Sequence, residues 1–184
     1  MFGITSKNSL SQEFNSKSNF SKHSRLKAFG GHTLNISNSD AIEFYETQNV
    51  RDLTLSVELS ARSIDNINTN GKIGAYCYGN LPLMFFRNCP LKQKDGCGNC
   101  NGNRKITDRK NIEFPVICHD KIYSVLHNSV PLYIMDKINL NCDFLTMYFT
   151  NESKEECKEI LSLCKNKQSA PFKKTAGLYL REVL

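Results

Sequence analysis

The chain has 184 residues, with 24 lysines and arginines against 18 aspartates and glutamates, eight cysteines and a 40% apolar content. That length excludes a complete eight-unit β/α barrel, which takes about 250 residues, but leaves room for one domain with a real core. The apolar content excludes a disordered chain, and no run approaches the roughly 18 apolar residues of a membrane span.

The net charge of +6 is unevenly placed. Residues 1–28 hold Lys7, Lys17, Lys22, Arg25 and Lys27 against Glu13. Residues 87–110 hold Arg87, Lys92, Lys94, Arg104, Lys105, Arg109 and Lys110 against Asp95 and Asp108. The basicity therefore belongs to a tail and one loop, not to a general nucleic-acid face. The Ser-, Asn- and Lys-rich residues 1–28 read as a solvated, disordered leader, with a basic nucleic-acid arm as the sharper alternative. Residues 1–10 lack the apolar segment of about 7–15 residues that a secretory signal needs. A reduced, cytoplasmic setting is therefore expected, and the cysteines pose a question of metal or burial rather than of disulfides.

Along the chain, residues 33–37 read as a short β-rich run. Asn38 and Ser39 can cap a helix carrying the stripe Ala41, Ile42, Phe44 and Tyr45. Residues 52–57 alternate as a strand, 61–67 read as a short helix with Ile64 and Ile67 three apart, and 73–78 read as a strand ended by Gly79 and Asn80. Strand and helix alternating with short links predict parallel crossover units. The expected fold is α/β: a partial, half TIM-barrel-like set of β/α units with an inserted cysteine-rich loop and a β-hairpin. Residues 80–104 read as loop. Residues 105–117 read as a hairpin whose turn uses Asn111 in the left-handed conformation. Residues 132–138 read as a short helix and 144–149 as a strand. Ser153 and Glu156 form a capping box, followed by a core stripe of Cys157, Ile160, Leu161 and Cys164. These divisions give a body over 29–152, a Cys-rich loop over 85–118, and a C-terminal helix and tail over 153–184.

The cysteines sort into two sets. Cys77, Cys142, Cys157 and Cys164 sit in apolar patterns and read as core thiols. Cys89, Cys97, Cys100 and Cys118 follow C-x7-C-x2-C-x17-C, with Gly96 and Gly102 around the central C-x2-C. Two residues between thiols let both sulfurs turn onto one ion, and four thiolates suit tetrahedral zinc or an iron–sulfur cluster. The spacing leaves zinc and a [4Fe-4S] cluster both open. His119 is an alternative fourth ligand in place of Cys89. Glu58, at the end of a strand, is a candidate functional acid or an exposed first-turn residue. Asp108 and Arg109 read as a hairpin ion pair or functional groups, Arg87 as a basic residue able to offset thiolate charge, and His127 as a packing or turn residue.

Several strings occur in order: Tyr78-Gly-Asn-Leu-Pro-Leu-Met84, Arg87-Asn-Cys-Pro90, Cys97-x-x-Cys100, Thr107-Asp-Arg-Lys110, Phe114-Pro-Val116, Asn128-Ser-x-Pro-Leu132 and Phe149-Thr-Asn-Glu152. Together with Leu34-Asn-Ile-x-Asn38 and Leu55-Ser-x-Glu58, they resemble the C-terminal part of the barrel in the collagenase-like peptidase U32 family, over about residues 29–152. The resemblance implies a hydrolase acting on protein or peptide, with the four cysteines holding metal beside the barrel mouth and no catalytic residue assigned. Relatives implicated in RNA hydroxylation, some bearing iron–sulfur clusters, imply RNA as an alternative partner. The barrel's first half has no counterpart here. The missing half, or self-association through open strand edges, is therefore an expected partner.

Overall fold

The computed structural model describes residues 28–92, 97, 100–137 and 139–181. The expected leader therefore falls outside the described residues, apart from Ala28.

Strand β1 (Ala28–Gly30) opens the chain's order. The run at 33–37, expected to be extended, instead begins with a 3-10 turn over His32–Leu34, and Ile36 makes only an isolated parallel bridge to Leu55. Helix α1 (Ser39–Thr47) starts where Asn38 Oδ1 accepts the Ala41 N–H at 2.8 Å. Ile42 is buried and Ala41 and Tyr45 pack on the core, but Phe44 is exposed, so the buried stripe is narrower than the pattern predicts. Strand β2 (Val50–Thr54) follows, then helix α2 (Ala61–Asp65), capped by Ser60, whose hydroxyl accepts from Ser63 N. Strand β3 (Ile73–Gly79) is buried at every residue. That suits its near-continuous apolar sequence and its place between parallel neighbours.

The next four strands form a separate antiparallel sheet: β4 (Pro82–Phe86), β5 (Asn103–Thr107), β6 (Glu113–His119) and β7 (Tyr123–His127), in the order β4-β7-β6-β5. The β5–β6 hairpin agrees with the sequence reading, and Asn111 holds its left-handed φ of 58°. Strand β4 corrects the reading of 80–104 as wholly loop. Proline is tolerated there because β4 is an edge strand and Pro82 is its first residue, so the ring removes no needed ladder bond.

The chain then returns to the first sheet. Residues 132–133 form strand β8 (Leu132–Tyr133), not the start of a helix. Its backbone pairs with Tyr78 and Gly79 on one side, and Tyr133 N donates to Thr175 O at 2.9 Å on the other. Those tertiary bonds outweigh a weak helical pattern. Strand β9 (Phe144–Tyr148) pairs parallel with β3, and helix α3 (Lys154–Lys165) follows. The capping box is formed as expected: Glu156 N donates to Ser153 Oγ at 3.2 Å and Ser153 N to Glu156 Oε2 at 2.7 Å. On α3, Ile160 and Cys164 are buried, Cys157 is half-buried and Leu161 is 49% exposed.

The molecule is thus mixed α/β. A parallel series β1-β2-β3-β9 curls as a half-barrel sheet, with β8 antiparallel on the end of β3, beside the antiparallel sheet from residues 82–127. Leu53, Leu55, Tyr76, Tyr133, Ile134, Ile160 and Tyr179 fill the main core between the first sheet, its helices and the C-terminal segment. No helix among the described residues is long and apolar enough to cross a membrane.

Candidate functional site

The four loop cysteines come to one end of the antiparallel sheet. Phe86, the last residue of β4, faces Ser124 on β7, and Ser124 faces Cys118 on β6. Cys89 lies three residues beyond β4, and Cys100 three residues before β5 begins. Cys100 N donates to Cys97 O at 3.3 Å, closing a turn between the paired thiols. Gly102 links the next two. Its N–H donates to Cys100 Sγ at 3.4 Å, and its carbonyl accepts the Cys118 N–H at 2.8 Å. All four are free, half-buried thiols.

The donor chemistry fits a soft metal, and an N–H donated to a sulfur is a bond that stabilises thiolate. The arrangement does not gather the donors. Among the described residues, no three His, Cys, Asp or Glu side chains stand together as a metal-holding group. His119 ends the same strand as Cys118, so the two point to opposite faces of β6. Its ring stacks on Tyr123 with centroids 4.6 Å apart, which accounts for it without a metal.

The remaining candidates separate. Arg87 lines a cavity of about 850 Å³ with His32, Asn35, Phe86 and Tyr123, between the turn after β1 and the cysteine end of β4. Asp108 and Arg109 lie in the β5–β6 turn, at the opposite end of the sheet from the cysteines. Asp108 Oδ1 accepts from Lys110 N at 2.8 Å and Ile112 N at 2.9 Å, so its carboxylate holds the turn. The cross-strand ion pair of that hairpin is Lys105 with Glu113, at 2.6 Å and exposed. Glu58 is exposed after β2, its N–H donating to Ser56 Oγ.

Of the four expected core thiols, Cys77 and Cys164 are buried and hydrogen-bonded to each other. That bond, then burial, pushes the Cys77 thiol well up. Cys142 and Cys157 are half-buried.

A second group of polar residues was not legible as a set. At the carboxyl end of the parallel strands stand His32, after β1, Tyr76, Tyr78 and Asn80, on and after β3, and Glu152, after β9. His127 joins them from the end of β7, 2% exposed, with Nδ1 3.0 Å from the Asn80 carbonyl oxygen. A carbonyl only accepts, so Nδ1 carries the proton. Burial holds the His127 pKa down, and the imidazole is neutral near pH 7, leaving Nε2 as a lone-pair acceptor. Tyr78 donates its hydroxyl to Glu152 Oε1 at 2.8 Å, while Glu152 Oε2 accepts the N–H of Thr150 and Asn151. His32 packs edge-on to Tyr76 and Tyr148, at 4.7 and 5.6 Å. The sequence signal for part of this group is the position of His32, Asn80 and Glu152 just past a parallel strand, where parallel α/β folds present functional groups.

Compared with known proteins, the chain matches no family model, no curated protein and no solved structure.

Proposed function

We propose that the chain is the C-terminal part of a barrel of the collagenase-like peptidase U32 family, and that its own task is to hold a metal on Cys89, Cys97, Cys100 and Cys118. The supporting motifs run in order from Leu34 to Glu152. The observation that carries the metal reading is the placement of all four thiols at one end of the antiparallel sheet, with Gly102 tying Cys100 to Cys118. In the fuller form of the reading, these strands are TIM-barrel-like β/α units, and residues 82–127 are an insertion at the barrel mouth. Zinc there would clip the segment after β4 onto β6, and an iron–sulfur cluster would add one-electron chemistry. Arg87, Lys92 and Arg104 supply positive charge against the thiolates. Peptide hydrolysis belongs, on this reading, to the assembled barrel.

Anaerobic purification with metal analysis and a visible spectrum tests it. One zinc or one cluster per chain is expected, lost in Cys100→Ser and Cys118→Ser. A wild-type chain with neither metal and with titratable thiols at all four positions removes the proposal.

A second reading, contact with single-stranded RNA, is favoured by one feature. The edge strand β4 exposes Leu83, Met84 and Phe85 next to the basic run that begins at Arg87. Exposed aromatic faces beside cations suit base stacking and phosphate contact. Affinity for an RNA oligonucleotide that falls steeply with salt supports it, and no binding at low salt rules it out.

A further inference from the structure

Burying a polar atom without a partner is costly, and such atoms in a folded chain call for an explanation. Among the described residues, His32 Nε2, Tyr76 Oη, Asn80 Oδ1 and His127 Nε2 are buried without a hydrogen-bond partner. Tyr76 and His127 are also among the most buried side chains, at 0% and 2% exposure. These four atoms belong to the group at the carboxyl end of the parallel strands, and the residues form a connected series. The Asn80 carbonyl holds His127. Asn80 follows Gly79, and Gly79 faces the Tyr76 hydroxyl.

Gly79 shapes the place. Its φ is +140°, and a Cβ built there would lie 2.4 Å from Tyr76 Oη and 2.4 Å from the Tyr148 carbonyl oxygen. Only glycine lets the tyrosine hydroxyl sit against the backbone at this point. The Tyr76 ring stays in the core while its hydroxyl lies against Gly79 at the end of β3.

The unpartnered atoms of the group are one-sided in their chemistry. His127 Nε2 is an acceptor because its Nδ1–H is spent on Asn80. Asn80 Oδ1 is an acceptor, and the Tyr76 hydroxyl can accept as well as donate. Glu152 accepts the hydroxyl of Tyr78, which lies two residues from Tyr76 and two from Asn80 along the chain, and its charge acts on Tyr76 and His127. A ligand that satisfies these atoms must bring several hydrogen-bond donors, and the nearby carboxylate favours one that brings positive charge.

We propose that Tyr76, Asn80 and His127 form a binding niche for a primary ammonium group at the carboxyl end of β3, with Glu152 supplying the counter-charge. A primary ammonium carries three donors and no acceptor, which matches the three unpartnered atoms Tyr76 Oη, Asn80 Oδ1 and His127 Nε2. The niche does not depend on the cysteines or on metal. A free amine and the amino group of a peptide share this chemistry.

The test uses the 184-residue chain labelled with 15N-histidine, followed by NMR at constant ionic strength. Methylammonium chloride is the first probe, glycinamide and Nα-acetyl-lysinamide represent the two peptide sources, and tetramethylammonium is the control with charge but no N–H. The expected result is a saturable shift of the His127 Nε2 resonance with methylammonium and none with tetramethylammonium. The tighter of the two peptide-like probes identifies the source. Asn80→Ala keeps the backbone carbonyl that holds His127, and Tyr76→Phe keeps the ring against His32. Each should weaken methylammonium binding about tenfold, as expected for losing one hydrogen bond to a charged group. No saturable shift with any amine, an equal response to tetramethylammonium, or unchanged affinity in Asn80→Ala would overturn the proposal. Metal content is measured on the same samples, so failure here leaves the metal reading to stand or fall separately.

Discussion

Tyr179 and Tyr76, 103 residues apart, hydrogen-bond in both directions. The Tyr76 N–H donates to Tyr179 Oη at 3.1 Å, and the Tyr179 hydroxyl donates to the Tyr76 carbonyl at 3.0 Å. The β3–β9 ladder shifts register between Tyr76 and Tyr78, and Tyr179 satisfies backbone groups of β3 next to that irregularity. The C-terminal segment is thereby locked to the central strand β3, which leads to the polar group at its carboxyl end.

Tyr179→Phe keeps the packing of the ring and strands two buried backbone groups. At about 1–3 kcal/mol for each unsatisfied group, partly relieved by relaxation, the variant should lose about 2–4 kcal/mol of stability. Urea denaturation measures it. A loss under about 0.5 kcal/mol, in the range of an ordinary surface substitution, would show that the reciprocal bonds contribute little.

The capping box on α3 gives a smaller and more local effect. Bonds from the Ser153 backbone and then from its side chain hold the Glu156 carboxyl below its usual range. Ser153→Ala removes the acceptor for the Glu156 N–H and should cost about 1 kcal/mol, while Ser153→Asp should cost much less. Thermal unfolding of the two variants side by side distinguishes lost capping from a general effect of substitution.

Acid sensitivity should come from the buried histidines His127 and His32. Burial, the largest influence, lowers the His127 pKa. The Asn80 carbonyl and Glu152 oppose this, and His119 adds to it. Burial lowers His32 as well. A folded-state pKa below the unfolded one means that the unfolded chain binds the proton first as pH falls. The stability contributed by neutral His127 is therefore full above about pH 6.5 and is lost as pH drops toward the folded-state pKa. The urea midpoint should decline between pH 7.5 and 5.5. The decline should be shallower in His127→Asn, whose amide can still donate to the Asn80 carbonyl. A midpoint that is flat over this interval, or the same slope in the variant, rules this origin out.

Local patterns were readable where the chain's own neighbours decide the conformation. Asn38 caps α1, Ser153 and Glu156 box α3, and Asn111 turns the β5–β6 hairpin, each through contacts within a few residues. Strand β4 and strand β8 were not readable, because their partners lie about 40–55 residues away in the chain. Pro82 suggested loop until β7 provided a partner that does not need its N–H. The exposure of Phe44 and Leu161 had the same origin: helical spacing marks a face, but neighbouring elements decide how wide a strip of it is covered.

The sequence by itself determined an α/β chain with a parallel crossover from β2 to β3, a capped terminal helix and a set of four closely spaced cysteines. Only the tertiary structure decided which polar residues meet. His32, Tyr76, Asn80, His127 and Glu152 are spread over 121 positions and share no spacing motif. His32 meets the Tyr76 ring, Glu152 meets Tyr78, and His127 meets Asn80 because parallel neighbours bring the first two to β3 and β7 returns His127 to the Asn80 carbonyl. The cysteine set shows the complementary case. Spacing marks the four thiols as candidates, but the sheet brings them only to a common end, and the side chains of Cys89, Cys97, Cys100 and Cys118 are not drawn together by backbone pairing alone.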